Sequence, residues 1–122
     1  MPYMHVSLTK VLTPAERQTL YDKLGEALTL VPGKQARMLI AEIDDGKQLF
    51  CGGTLQKDFV FIDARYHGKY EYSIREAFVK AVFRAVQEVV GTPEANISMN
   101  LSELTAWGGF GNYLDDAVKP AP

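Results

Sequence analysis

The residue whose position most directly suggests chemistry is Pro2, which follows Met1. When Met1 is removed, the usual outcome with so small a second residue, Pro2 carries an N-terminal secondary amine. Residues 3–9 alternate apolar and polar side chains, which predicts a β-strand holding that end of the chain. An amine held against an apolar surface loses solvation, so its pKa falls and part of it is neutral near pH 7. The pattern suggests a general base; the alternative is that a Met-Pro start is common and carries no function.

The other residues with reactive side chains form weaker patterns. Cys51 is the only cysteine, so an internal disulfide is excluded, and a nucleophilic role would need a histidine brought beside it by the fold. We expect His5 on the strand face opposite Pro2 and His67 on a turn. Neither has ligand spacing or a neighbouring cluster of acidic residues. We therefore expect no metal site and no cofactor.

Length and charge limit the class of protein. A chain of 122 residues is one domain with room for a hydrophobic core, and association with further copies would add to its stability. A net charge of −2 offers no basic field for nucleic acid. No segment resembles a signal peptide or a membrane span. With a single cysteine, these features predict a soluble cytoplasmic protein without nucleic-acid or membrane partners.

The first half of the chain reads as strand, helix, strand. Thr13-Pro14-Ala15-Glu16 is typical of a helix start, with Thr13 as N-cap and Glu16 closing a capping box. An apolar stripe at helical spacing follows, and Pro32-Gly33 ends it. Residues 38–43 then predict a second strand.

The second half repeats this order. Residues 59–64 predict a strand apolar enough to be buried on both faces. Ser73 and Glu76 form a second capping-box pattern, and the helix it begins ends at Gly91. Residues 97–102 alternate as a half-buried strand does. The chain therefore contains an internal repeat of about sixty residues.

Two βαβ halves, about 1–57 and 58–114, predict an α+β fold. Paired, they give a four-stranded mixed sheet with two antiparallel helices on one face. The other face carries the small polar residues Ser98, Asn100 and Ser102. Aromatic residues among glycines in 105–114 predict packing across a subunit boundary or closure over a pocket. Residues 115–122 are expected to be a loose tail.

Together these features resemble the tautomerase superfamily, closest to the macrophage migration inhibitory factor (MIF) group. The resemblance covers nearly the whole chain, to about Leu114. It rests on the Met-Pro start feeding a strand, the tandem βαβ repeat, Gly33-Lys34, Gly52-Gly53-Thr54, Gly68-Lys69 and Trp107-Gly108.

The resemblance implies a homotrimer whose sheets form a central barrel with active sites at the subunit interfaces. It implies an enzyme without a cofactor, in which the freed proline moves a proton between carbon and oxygen of a small keto acid. Two alternatives stay open: a trimeric binding or signalling module without catalysis, and a decarboxylase or dehalogenase of the same superfamily.

The resemblance also assigns roles to individual residues. Lys34 would bind a substrate carboxylate and lower the pKa of Pro2; the alternative is a surface lysine on a turn. Asn100 would donate its amide to a substrate oxygen, or be a solvated asparagine on an edge strand. Trp107 and Phe110 would form an apolar wall, or pack between subunits.

Arg37 resembles the arginine that opens the second strand in the 4-oxalocrotonate tautomerase branch, where its planar fork suits a carboxylate. An ordinary surface ion pair is the alternative. Tyr66, at the second β-to-α connection, is a further predicted substrate-binding residue. Ser98 departs from the MIF group, which has a tyrosine there. Glu103 offers a carboxylate that would activate water for dehalogenation, but nothing in the sequence fixes it in the site.

Overall fold

A computed structural model describes residues 1–118; residues 119–122, which belong to the predicted tail, lie outside the described residues. The elements in chain order are β1 Tyr3–Leu8, α1 Pro14–Leu28, β2 Ile40–Asp44, β3 Phe50–Cys51, β4 Thr54–Leu55, β5 Val60–His67, α2 Tyr72–Val90, β6 Ile97–Leu104, β7 Ala106–Gly109 and β8 Asn112–Asp115.

The four long strands form one mixed sheet in the order β2-β1-β5-β6. β1 runs parallel to β2 and antiparallel to β5, and β5 runs parallel to β6. The two helices pack against each other and contribute to the same core as the inward side chains of the sheet. This arrangement confirms the predicted α+β class and its four-stranded mixed sheet.

The core lies between the sheet and the helices. In β1 the even-numbered residues are buried and the odd-numbered ones are partly exposed, as the alternation predicted. Phe78 of α2 and Leu20 and Leu24 of α1 pack against this face and are fully buried. Burying a side chain of this size contributes about 1.5–3 kcal/mol, so this layer fixes how the helices sit on the sheet.

The first helix begins as predicted. Thr13 Oγ1 accepts from the Glu16 amide at 3.1 Å, and Glu16 Oε1 accepts from the Thr13 amide at 2.8 Å. The second predicted capping box is wrong. α2 begins at Tyr72 with Glu71 as N-cap, so Ser73 lies inside the first turn. Glu76 accepts instead from the Tyr72 hydroxyl at 2.7 Å.

The second and third predicted strands need correction at their ends. β5 is not buried on both faces: it alternates, and Phe61 is 39% exposed, because the helices cover one side only. β5 also continues through His67, which is therefore its last residue and not part of a turn. β2 begins at Ile40, since residues Ala36–Met38 form one 3₁₀ turn that contains Arg37.

Two small hairpins lie outside the main sheet. β3 pairs with β4, and β7 pairs with β8, each antiparallel. The second hairpin is formed by the aromatic and glycine-rich segment, and Phe110 at its turn has a positive φ of 51°. β8 ends at Asp115, one residue past the predicted domain end. Within residues 1–118, neither helix is long and apolar enough to cross a membrane.

Candidate active site

The N-terminal residues lie under β7 at one end of the sheet. Pro2 is buried, and its carbonyl accepts from the Ile40 amide at 2.9 Å. The Met1 side chain lies against β7: a Cβ added at Gly109 would be 2.8 Å from Met1 Sδ and 3.4 Å from Trp107 Cδ1. Burial, and then the positive charge of Lys34, lower the pKa of the Met1 ammonium below its ordinary value.

Lys34 reaches this end of the sheet from the turn after α1. Its Nζ donates to the His67 carbonyl at 2.6 Å and lies 5.6 Å from the centre of the Tyr66 ring. Burial lowers the pKa of its ammonium. Lys34 therefore presents a partly desolvated cation near the N-terminus. The electrostatic attraction between this cation and a bound anion would be stronger there than at an open surface.

Tyr66 supports Lys34 from below. Its side chain is 1% exposed and packs edge-on against Tyr70 and Phe78, with ring centres 5.6 and 6.0 Å away. The hydroxyl donates to Glu103 Oε2 at 2.9 Å. Burial, and then this carboxylate, raise the pKa of Tyr66, so its phenol stays protonated. The buried Tyr66 ring therefore forms a fixed surface beside the Lys34 ammonium.

Arg37 and Phe110 face a cavity of about 420 Å³ that they line with Met38. The Arg37 Nε donates to Gln35 Oε1 at 2.7 Å. The cavity's lining residues are near in sequence to two that approach the N-terminus: Phe110 follows Gly109, whose added Cβ would meet Met1, and Met38 lies two residues before Ile40, whose amide donates to the Pro2 carbonyl. Phe110 is 69% exposed, so one wall of this space is open.

Asn100 is not brought to Pro2 within one chain. It lies on the sheet face away from the helices, is exposed, and its Nδ2 is 3.5 Å from Asp63 Oδ1. Pro2, Lys34 and Tyr66 meet at the helix-facing side. The structure therefore gathers most of the predicted residues around the N-terminus and leaves Asn100 on the opposite face.

No partner for Glu103 could be predicted from the sequence, but the structure shows two hydrogen-bond donors. Its carboxylate accepts from the Tyr66 hydroxyl and from the Tyr70 amide, both at 2.9 Å, and Arg75 Nε lies 3.7 Å away. The parallel pairing of β5 with β6 places Tyr66 opposite Glu103. The pairing register of β5 with β6 is the information that would have predicted this contact.

The prediction that no cluster of acidic residues lies near His5 is wrong. Ligand atoms of His5, Glu42 and Asp44 lie within 4.8 Å of one another, because β2 runs beside β1. His5 Nε2 is 2.6 Å from Asp44 Oδ2, and the Tyr3 hydroxyl donates to Glu42 at 2.8 Å. These hydrogen bonds explain why the three side chains lie close together on the sheet face away from the helices.

Comparison with known proteins settles the fold. Neither a protein-family model nor a curated protein matches the chain, but solved structures do. The chain is similar to Leishmania major MIF2 (TM-score 0.83, 17% identity, 93% of this chain and 97% of that one). It is similar to Pt0534 inactivated by 2-oxo-3-pentynoate (0.83, 16%, 96% and 99%) and to a fused 4-OT asymmetric trimer, F6 (0.81, 17%, 94% and 97%). The chain has the tautomerase/MIF fold.

The tautomerase/MIF fold explains the repeat in the sequence, since each βαβ half contributes two strands and one helix to the shared layers. The resemblance drawn from the sequence is thus confirmed at the level of the fold. The solved structures to which the chain is similar include MIF proteins and 4-OT proteins, and two of the 4-OT structures are described as trimers.

Proposed function

We propose that this chain is a cofactor-independent keto–enol tautomerase in which Pro2, freed by removal of Met1, is the general base for a small keto acid. The observation that carries the proposal is the environment of the N-terminal amine. Pro2 is buried, and burial together with Lys34 lowers the pKa of the Met1 ammonium beside it. The same surroundings would lower the pKa of the Pro2 amine once Met1 is removed, and a neutral amine near pH 7 is what removal of a proton next to a carbonyl requires.

In the proposed reaction, the Pro2 nitrogen accepts a proton from the carbon beside the substrate carbonyl. The carbon–hydrogen electron pair then forms the carbon–carbon double bond of an enolate, and negative charge develops on oxygen. Return of the proton to that oxygen gives the enol. Lys34 would bind the substrate carboxylate or the developing charge, with Arg37 as a second cation. Trp107 and Phe110 would limit access of water.

We also propose that the chain works as a homotrimer. Two neighbours of the same fold are described as trimers. In this chain β2 and β6 are the outer strands of the sheet, so within residues 1–118 both of its edges are unpaired. Phe50 on the β3–β4 hairpin is 70% exposed, and packing against another copy would bury it. In such an assembly, Asn100 on β6 would serve the site of a neighbouring copy.

The test of catalysis combines a mass measurement with a covalent probe. We expect the intact mass to show Met1 removed and phenylpyruvate to be interconverted between its enol and keto forms. We expect 2-oxo-3-pentynoate, the compound that inactivated Pt0534, to add mass to the Pro2 peptide and abolish turnover. Protein prepared with Met1 retained is the matched control and should neither turn over nor be labelled. Pro2→Gly with turnover equal to the parent protein would contradict the proposal.

A trimeric binding or signalling module without catalysis is the second candidate. One observation favours it: this chain has Ser98 where the MIF group has a tyrosine. Retained Met1 in the natively expressed protein would support this candidate. Dehalogenation is less favoured, because Glu103 already accepts two hydrogen bonds and faces Arg75.

A further inference from the structure

Glu103 is a largely buried carboxylate that the proposed reaction does not use. Its side chain is 15% exposed. Oε2 accepts from the Tyr66 hydroxyl and the Tyr70 amide, and Oε1 faces Arg75 Nε at 3.7 Å. Removing a carboxylate from water is unfavourable unless its oxygens are satisfied. Both hydrogen bonds fall on Oε2, whereas Oε1 has only the charge of Arg75 nearby, so Glu103 is bound through one oxygen to both ends of the segment 66–70.

That segment contacts the turn carrying Lys34 at three points. The Tyr66 ring lies 5.6 Å from Lys34 Nζ, the His67 carbonyl accepts from the same Nζ at 2.6 Å, and the Tyr70 hydroxyl donates to the Pro32 carbonyl at 3.1 Å. The first and last of these contacts involve the two residues that Glu103 holds. The position of the lysine ammonium therefore depends on a carboxylate that does not touch it.

We propose that Glu103 is a positioning residue, which keeps the segment 66–70 against the turn 32–34 and so holds the Lys34 ammonium near the N-terminus for anion binding. This rests on the proposed function. Lysine has a flexible stem and a strongly hydrated head, so without such anchors the ammonium would extend into water. Loss of Glu103 would then weaken anion binding and remove a positive charge from beside the N-terminal amine.

The groups around Glu103 favour positioning over acid–base work. From β5 it meets a phenol whose pKa is raised, from the following segment a backbone amide, and from α2 a guanidinium. The two hydrogen-bond donors, Tyr66 and Tyr70, are also residues that contact the turn carrying Lys34. The hydrogen bonds of Glu103 therefore act on the position of that turn.

The test compares Glu103→Gln with Glu94→Gln, an exposed residue lining the same groove between α2 and β6. The probe is cinnamate, an aryl carboxylate that cannot enolise, with binding measured by calorimetry. We expect its Kd to rise about tenfold in Glu103→Gln, the factor contributed by one hydrogen bond to a charged group. The pH midpoint of titration of the N-terminal amine, measured by NMR, should rise because the Lys34 ammonium would move away from it. Glu94→Gln should change neither quantity.

Folded Glu103→Gln protein with the parent Kd and the parent midpoint would overturn the proposal, as would parent protein that binds no cinnamate. If Glu103→Gln does not fold, Tyr66→Phe removes the hydroxyl donor alone and should change both quantities in the same directions. A Tyr66→Phe protein identical to the parent in both quantities would then overturn it. Neither readout requires turnover, so a catalytically inactive Pro2 would leave this test intact.

Discussion

Gly109→Ala separates the two possible states of the N-terminus. The added Cβ would lie 2.8 Å from Met1 Sδ and 3.1 Å from Met1 Cγ, but 3.4 Å from Trp107 Cδ1. The first two distances are too short without movement, and the third is an ordinary contact. The same methyl group is therefore crowded when Met1 is present and accommodated when Met1 is absent.

The size of the effect follows from these contacts. The backbone at Gly109 has no positive φ, so alanine there gains about 0.4–1 kcal/mol of folding free energy by restricting the unfolded chain. Crowding against Met1 costs about 1 kcal/mol, at the low end for overpacking because a thioether chain adapts. For a chain of this length a difference of about 1 kcal/mol corresponds to about 3–6 °C in Tm.

The assay is thermal unfolding of Gly109→Ala in two preparations, one with Met1 removed and one made with methionine aminopeptidase inhibited. We expect the substitution to raise Tm in the first and to leave it unchanged or lower it in the second. Gly108→Ala is the matched control: its Cβ would meet only Asn112 O at 3.9 Å, so both preparations should respond equally. The same Tm shift in both preparations of Gly109→Ala would refute the reasoning.

Three further substitutions test the site and the core. Lys34→Met removes the charge that lowers the pKa of the Met1 ammonium and that would act in the same way on a freed Pro2 amine. The pKa of that amine should therefore rise, the ascending limb of kcat/KM should move to higher pH, and KM for an anionic substrate should rise at least tenfold; an unmoved limb would argue against Lys34. Phe78→Ala should lower the free energy of unfolding by about 3–5 kcal/mol in urea titrations, because the ring is fully buried. Thr13→Ala should lower it by about 1 kcal/mol through loss of the N-cap, and no loss would contradict the capping box.

Much of the fold could be predicted because its signals are local. The alternation in β1, the capping box at Thr13 and the glycine at position 91 each report the geometry of a few neighbouring residues. The second capping box was wrong for a related reason. Ser73 has the right spacing to Glu76, but Tyr72 competes for that carboxylate and the helix begins two residues earlier.

The candidate site was harder to predict because its contacts join distant parts of the chain. Glu103 meets Tyr66 only through the register of β5 with β6, and His5 meets Asp44 only through the pairing of β1 with β2. Hydrophobic periodicity indicates which residues are buried but gives no strand register. Lys34 was assigned through resemblance, which reflects the shared fold and not a local signal, whereas Pro2 was suggested by its position after Met1 at the start of a predicted strand.

The position of β7 over the first residue has a consequence for the order of events during synthesis. Trp107 and Gly109 leave the ribosome about a hundred residues after Met1, a delay of about 5–20 s at ordinary translation speeds. An aminopeptidase can reach the initiator residue during that interval, before the last hairpin covers it. If the last hairpin folded before the aminopeptidase acted, Met1 would be retained. The fraction of molecules with a free Pro2 amine would then be decided during translation.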